Sequence, residues 1–113
     1  CLLVSKEETM EIKFNAIEEK IREVARDFAE KEVAPLAEEI DRESRYPQET
    51  FEKMVKCGFT GIGIPTKYGG SGGDDIIKCI VVEEISKKCA STGGILSIHG
   101  IFGQSILKFG TEE

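Results

Sequence analysis

Three places in this 113-residue chain hold groups that could do chemistry. The run Tyr68-Gly69-Gly70-Ser71-Gly72-Gly73 has the glycine density of a phosphate-cradling loop. It has neither the G-x-G-x-x-G nor the G-x-x-x-x-G-K-[ST] spacing of such loops. Asp74 and Asp75 follow at a helix start and compete for the N–H groups a phosphate would use. The run therefore reads as a turn followed by a self-capped helix. His99, the one histidine, could serve as a general base, a ligand or a pocket-lining group. No acid lies near it in sequence, and its plain reading is a hydrogen-bonded side chain at a helix interface. The cysteines Cys1, Cys57, Cys79 and Cys89 include no C-x-x-C pair, so no zinc box or redox pair is indicated. They read as reduced thiols, with Cys79 and Cys89 acting as small buried hydrophobes. No metal site is expected.

The stretch from Ser91 to Leu107 contains no Asp, Glu, Lys or Arg. It includes four Gly, three Ser, His99 and Gln104, and it falls short of the roughly 20 mostly apolar residues that a membrane span needs. It is expected to be a core segment, or a surface that another domain covers. The part from Thr92 to Gln104 has two readings: ordinary helix packing, or one wall of an apolar ligand slot carrying a few polar groups.

The elements that must position these residues are helical. Asn15 and Glu18 have capping-box spacing. Phe14, Ile17, Ile21, Val24, Phe28 and Ala29 then recur on one helix face, which continues through Val33, Leu36, Ala37 and Ile40. Glu18–Arg22 and Asp27–Lys31 stand at i,i+4 with the acid first. Pro35 interrupts this run of about residues 15–42 and should kink it, or end one helix and begin another. Pro47 suits the first turn of a further helix, and Gly58 suits its left-handed stop. Residues 58–73 form a loop with seven glycines, whose Phe59, Ile62 and Ile64 should hold it over the core. A helix from Asp74 to about Cys89 is apolar nearly all round and is expected to be buried centrally. Its Ile76–Val82 segment also fits a buried strand, but Glu83–Lys88 extend it past strand length. Ser91 or Thr92 can cap a last helix running to about Phe109, with Gly110 as its stop. Gly94, Gly100 and Gly103 within it suggest close approach by another backbone or a ligand. The fold class is thus all-α, a small up-and-down domain of four to six helices with a Gly-rich loop near residues 58–73.

The totals agree. At 12.5 kDa, with 40% hydrophobic and 32% charged residues, the chain suits one globular domain. Its net charge is −6, all of it within residues 1–54, whereas residues 55–113 are balanced. Such a chain lacks the positive potential that draws in nucleic acid or anionic lipid. Without Trp, and with only two Tyr and six Phe, it lacks the aromatic platform used for single strands. No signal peptide is visible. No triad, metal box or nucleotide loop stands in the sequence.

Several ordered stretches together resemble the N-terminal helical domain of the acyl-CoA dehydrogenases. They are Ile21-Arg22-Glu23-Val24-Ala25-Arg26-Asp27-Phe28-Ala29-Glu30, Glu32-Val33-Ala34-Pro35-Leu36-Ala37, Glu39-Ile40-Asp41 and Tyr46-Pro47. Gly58-Phe59-Thr60-Gly61-Ile62-Gly63-Ile64-Pro65 follows with Tyr68-Gly69-Gly70, then Val82-Glu83-Glu84-Ile85-Ser86 and Ala90-Ser91-Thr92-Gly93. Phe109-Gly110-Thr111-Glu112-Glu113 completes the set. The resemblance covers residues 10–113. It implies that residues 1–9 are an upstream remnant and that a middle β domain and a C-terminal helical domain are absent.

The resemblance further implies a flavoprotein parent that removes the α and β hydrogens of an acyl-CoA to give a trans-2-enoyl-CoA. FAD accepts the hydride, and electron-transfer flavoprotein reoxidises it. The parent would be a homotetramer, cytoplasmic in a bacterium or in the mitochondrial matrix of a eukaryote. Catalytic and cofactor-binding residues are expected in the absent parts and none in this chain, which alone should be inactive and hold no cofactor. What transfers is a wall of the acyl-chain pocket, here Ile95, Leu96, Ser97, His99 and Phe102. The Ile95-Leu96-Ser97-Ile98-His99 reading is closest to short-chain, butyryl-CoA-type members, with departures at Gly94, Gly100 and Ile101. Two rivals remain at this stage: a free-standing helical interaction module, and a small acyl-CoA or flavin carrier. The uncovered Ile76–Ile85 and Thr92–Phe109 surfaces lead us to expect self-association of the isolated chain.

Overall fold

The computed structural model describes residues 13–113, and among these it is all-α. The expectation about residues 1–9 lies outside the described residues. Helix α1 (Ala16–Phe28) opens with the expected capping box: the Asn15 side chain accepts from the Glu18 N–H at 2.9 Å, and the Glu18 carboxylate accepts from the Asn15 N–H at 2.8 Å. Glu18 is thereby committed to the cap, so the expected Glu18–Arg22 pair is replaced by contacts of Arg22 with Glu19 and Glu84. Asp27 and Lys31 pair as expected.

Pro35 neither ends the helix nor simply kinks it. Residues Ala29–Val33 form a π-turn, in which the Ala34 N–H reaches back five residues to the Ala29 carbonyl, and α2 (Ala34–Glu43) continues from there. An α-turn at this point would drive the proline ring against the carbonyl four residues earlier, that of Lys31. The wider turn accommodates the ring, at the one position that also lacks an N–H to donate. A left-handed Ser44 then reverses the chain. Arg45 bonds Glu39 behind it and Glu49 ahead of it, tying α2 to α3 (Gln48–Lys56). Pro47 sits just before α3 rather than inside its first turn.

Gly58 ends α3 in the left-handed conformation, as expected. The glycine loop then folds through two short 3-10 turns, Phe59–Gly61 and Thr66–Tyr68. It is knitted by Gly63 N–H to Gly72 O at 2.8 Å and Gly72 N–H to Ile64 O at 2.9 Å. Its two limbs lie so close that a Cβ on Gly70 would stand 2.1 Å from the Ile64 carbonyl oxygen. Phe59 and Ile62 pin the loop to the core, where Phe59 meets Phe28 edge-on at 5.2 Å.

Helix α4 (Asp75–Ser86) is capped by Asp74, which accepts from the Ile77 N–H at 2.9 Å, and the strand alternative is set aside. It packs between α1 and α5 (Ala90–Phe109), burying Ile80, Val81 and Ile85. Burial is not all round, however: Ile76 is half exposed, and Cys79, expected inside, is exposed, because neither neighbour covers that face. Cys89 is buried as expected. Helix α5 begins at Ala90 with Cys89 before it, so neither Ser91 nor Thr92 is the cap. The connection from α4 is too short to place them outside the helix, and the Thr92 hydroxyl ends up buried without a partner. Gly110 follows α5 in an extended conformation, not a left-handed one.

A Cβ on Gly93 would fall 1.9 Å from Ser86 Oγ and 3.0 Å from Ser86 Cα, whereas one on Gly94 would meet nothing. Gly93→Ala should cost about 1–3 kcal/mol through overpacking. Gly94→Ala should gain roughly 0.5–1 kcal/mol through helix propensity. Opposite shifts in the urea midpoint of the two variants are the check.

Glu84 on α4 is 3% exposed. It accepts from Arg22 at 3.1 Å, from Arg26 at 3.2 Å and from Lys87 at 3.0 Å. Burial alone would raise its carboxyl, but the bonds from Arg26, Lys87 and Arg22 outweigh this and hold it down to about 2. A carboxylate depressed in the folded state contributes stability that is present above its unfolded value and is lost as pH falls through the folded one. Glu84→Gln should therefore cost about 1–3 kcal/mol at neutral pH, less than a fully buried pair because the basic partners are partly exposed. It should also flatten the acid arm of stability between about pH 5 and pH 2. Denaturant titrations at a series of pH values read both effects.

Candidate functional site

Helix α5 presents two different sides. Thr92, Gly93, Leu96 and Gly100 face inward and are buried. Ile95, His99, Phe102 and Ile106 recur at steps of four and three, which places them on one stripe away from the core. Phe102 is 68% exposed and Ile106 54%, and Ile98, Ile101 and Phe109 beside them are exposed as well.

A groove of about 590 Å³ runs along this stripe. Ile64 and Tyr68 of the glycine loop form one lip, and His99, Phe102 and Ile106 of α5 form the other. The segment after α5 closes one end, where the Tyr68 hydroxyl donates to Glu112 at 2.6 Å and Lys67 stands 3.9 Å from the same carboxylate. The lips are joined by Gln104, whose side-chain amide donates to the Gly63 carbonyl at 2.8 Å. The His99 ring meets Phe51 edge-on at 5.6 Å, and Phe51 in turn lies 6.0 Å from Tyr46. His99 is therefore held by an aromatic neighbour at the exposed margin of a helix interface, rather than hydrogen-bonded within one.

Among the five residues read as a pocket wall, the structure brings His99 and Phe102 together on the groove, with Ile95 half-buried on the same stripe. Leu96 lies in the core at 4% exposure, and Ser97 is half-buried on the flank. Tyr68 and Ile64 line the groove as well, and Gln104 stands behind them, tied to the loop at Gly63. The stripe of Ile95, His99, Phe102 and Ile106 was legible as helical spacing, but the loop that faces it was not.

Chemically, the groove suits an alkyl chain: apolar walls with polar groups at its rim. The glycine loop does not form an anion cradle. Its Gly63, Gly70, Ser71 and Gly72 N–H groups bond within the loop, and the Ile77 N–H is taken by Asp74. No cluster of three or more His, Cys, Asp or Glu able to hold a metal occurs among the described residues. No described helix is long and apolar enough to cross a membrane.

The described residues thus form a helical unit with an apolar groove along α5. Residues 15–113 match the family described as acyl-CoA dehydrogenase, N-terminal domain, and the chain belongs to that family. It is 50% identical over 104 residues to acryloyl-CoA reductase (NADH) of Anaerotignum propionicum, covering 92% of this chain and 26% of that protein. It is 44% identical over 105 residues to the short-chain specific acyl-CoA dehydrogenase of Clostridium acetobutylicum, covering 92% of this chain and 28% of that one. The solved structure of butyryl-CoA dehydrogenase from Megasphaera elsdenii superposes with a TM-score of 0.80 at 33% identity, over 91% of this chain and 28% of that chain. The chain thus spans about a quarter of the length of these relatives.

Exposed apolar area of this extent drives association. At about 100 µM the 113-residue chain should sediment as a mixture of associated species. Ile98→Lys combined with Phe102→Lys should return it to monomer. A clean, stable monomer of the unmodified chain would contradict the expectation.

Proposed function

We propose that this chain is the N-terminal helical domain of a flavin-dependent enzyme that acts on a short-chain acyl-CoA, converting it to the trans-2-enoyl-CoA. Its contribution is one wall of the acyl-chain pocket. The observation that carries this reading is the apolar groove along α5, lined by His99 and Phe102, in a chain that belongs to the acyl-CoA dehydrogenase family. Phe102, Ile95 and Ile106 exclude water from the chain end and limit its length. Leu96 backs the wall from the core, while Ser97 and His99 supply its polar margin.

The residues of this chain do not fit FAD as a complete site, because the loop donors that could hold a phosphate are used internally. The flavin and the proton-abstracting carboxylate are assigned to middle β and C-terminal helical domains, and the chain alone is inactive. The parent is a homotetramer that exchanges electrons with electron-transfer flavoprotein. It works in the bacterial cytoplasm, or in the mitochondrial matrix if the source is eukaryotic.

The opposite direction has support of its own: a relative at 50% identity is named acryloyl-CoA reductase (NADH). The enzyme encoded by the complete reading frame separates the two. Bleaching of its flavin by butyryl-CoA without oxygen supports dehydrogenation. Consumption of NADH with acryloyl-CoA, and no bleaching by butyryl-CoA, supports reduction. No bound flavin and no reaction with either thioester would overturn the reading.

In that enzyme Phe102→Ala should raise the octanoyl-to-butyryl ratio of kcat/KM about tenfold, since each added methylene in an apolar pocket is worth about 1–3 kcal/mol. An unchanged ratio would remove Phe102 from the wall.

A further inference from the structure

The groove has one lip on a helix and the other on a loop, and the Gln104 side chain hydrogen-bonds from one to the other. The loop is rigid in itself, knitted between Gly63 and Gly72 and between Gly72 and Ile64. What sets its distance from α5 is a separate matter. Near the groove two contacts do so. Ile64 reaches Gly103, where a Cβ would stand 2.9 Å from Ile64 Cδ1, so the absent side chain creates the seat. One residue further on, Gln104 Nε2 donates to the Gly63 carbonyl at 2.8 Å, bridging 41 residues of sequence. Gly63 has φ +83°, and a Cβ there would lie 2.8 Å from the same amide nitrogen. The loop thus presents its carbonyl through a backbone shape that keeps the approach open to Gln104.

We infer that Gln104 is a positioning residue for acyl-chain selection: its hydrogen bond to Gly63 holds the loop lip, Ile64 and Tyr68, at a set distance from Phe102 and Ile106. Gln104 does not line the groove, and it acts through the loop. This inference rests on the pocket-wall reading above. Without the bond, the Gly63 carbonyl loses its side-chain donor, and the contacts left at the lip are Ile64 at Gly103 and Tyr68 at Glu112, with Phe59 and Ile62 anchoring the loop further back. The slot then widens, and discrimination against longer chains falls.

The test uses the enzyme from the complete reading frame and butyryl-, hexanoyl- and octanoyl-CoA. Gln104→Met keeps the length of the side chain and removes the donor. It should raise the octanoyl-to-butyryl ratio of kcat/KM about fivefold to tenfold, through a lower KM for octanoyl-CoA, with kcat for butyryl-CoA retained. Gln104→Lys keeps a donor at similar reach and should restore most of the discrimination, which a purely structural role would not do. Phe102→Ala serves as the reference. If Phe102→Ala moves the ratio and Gln104→Met does not, or if Gln104→Met lowers all substrates equally, the positioning role is overturned and the wall stands. If neither variant moves the ratio, the wall reading itself fails. Should Gln104→Met not fold, a lysine variant that folds with unrelaxed chain-length preference supports the role, and one with relaxed preference overturns it.

Discussion

At Gly93 the backbone of α5 approaches Ser86 more closely than any side chain would permit. That contact fixes the rotation of α5 about its own axis, and much of the site depends on it. With Gly93 against α4, Thr92, Leu96 and Gly100 turn inward. Ile95, His99, Phe102 and Ile106 then have no choice of side, because helical geometry places them about 100° round the helix from that inward face, on its flank. Gly103 lies where Ile64 of the loop can reach it, and Gln104 lies where it can reach Gly63. The glycines of α5 lower its helix propensity, and close packing on two neighbours offsets that cost.

The other side of α4 is held by a different kind of contact. Glu84 is buried, and its charge is matched by Arg22 and Arg26 from α1 and by Lys87 from its own helix. A buried carboxylate without these partners would be costly, so the pairing specifies how α1 lies across α4 more than it adds net stability. The uneven charge of the sequence also gains a physical meaning. Much of the acid in α1 to α3 is exposed or paired at the surface, as with Asp27–Lys31 and Arg45 between Glu39 and Glu49. Two arginines from the same acidic segment turn inward to Glu84, which no count of charges would single out.

The sequence was most legible where the signal is local. The Asn15–Glu18 box, the Asp74 cap and the Gly58 stop each depend on residues within one turn, and each forms as their spacing suggests. Signals that depend on partners far along the chain were not legible. Arg22 and Arg26 find Glu84 across 62 and 58 residues, and Gln104 finds Gly63 across 41. The π-turn before Pro35 shows a third case: the proline announces a disturbance, but which remedy the helix adopts depends on the packing of Ala29 and Val33 in the core. For α5 the difficulty was different again. Ile95, Leu96, Ile98, Ile101, Phe102 and Ile106 go nearly all the way round, so hydropathy could not say which side was core. The glycines hold that information, but only once it is known what each one touches.

An apolar stripe left in water is also an energetic statement. Fully burying a side chain such as Ile or Phe is worth about 1.5–3 kcal/mol, and Ile98, Ile101, Phe102, Ile106 and Phe109 are all more than half exposed in this chain. Residues that stabilised this domain by themselves would have to be turned inward, where they could not shape a groove. The same side chains therefore cannot serve both purposes, and their stabilising share is deferred to whatever covers them.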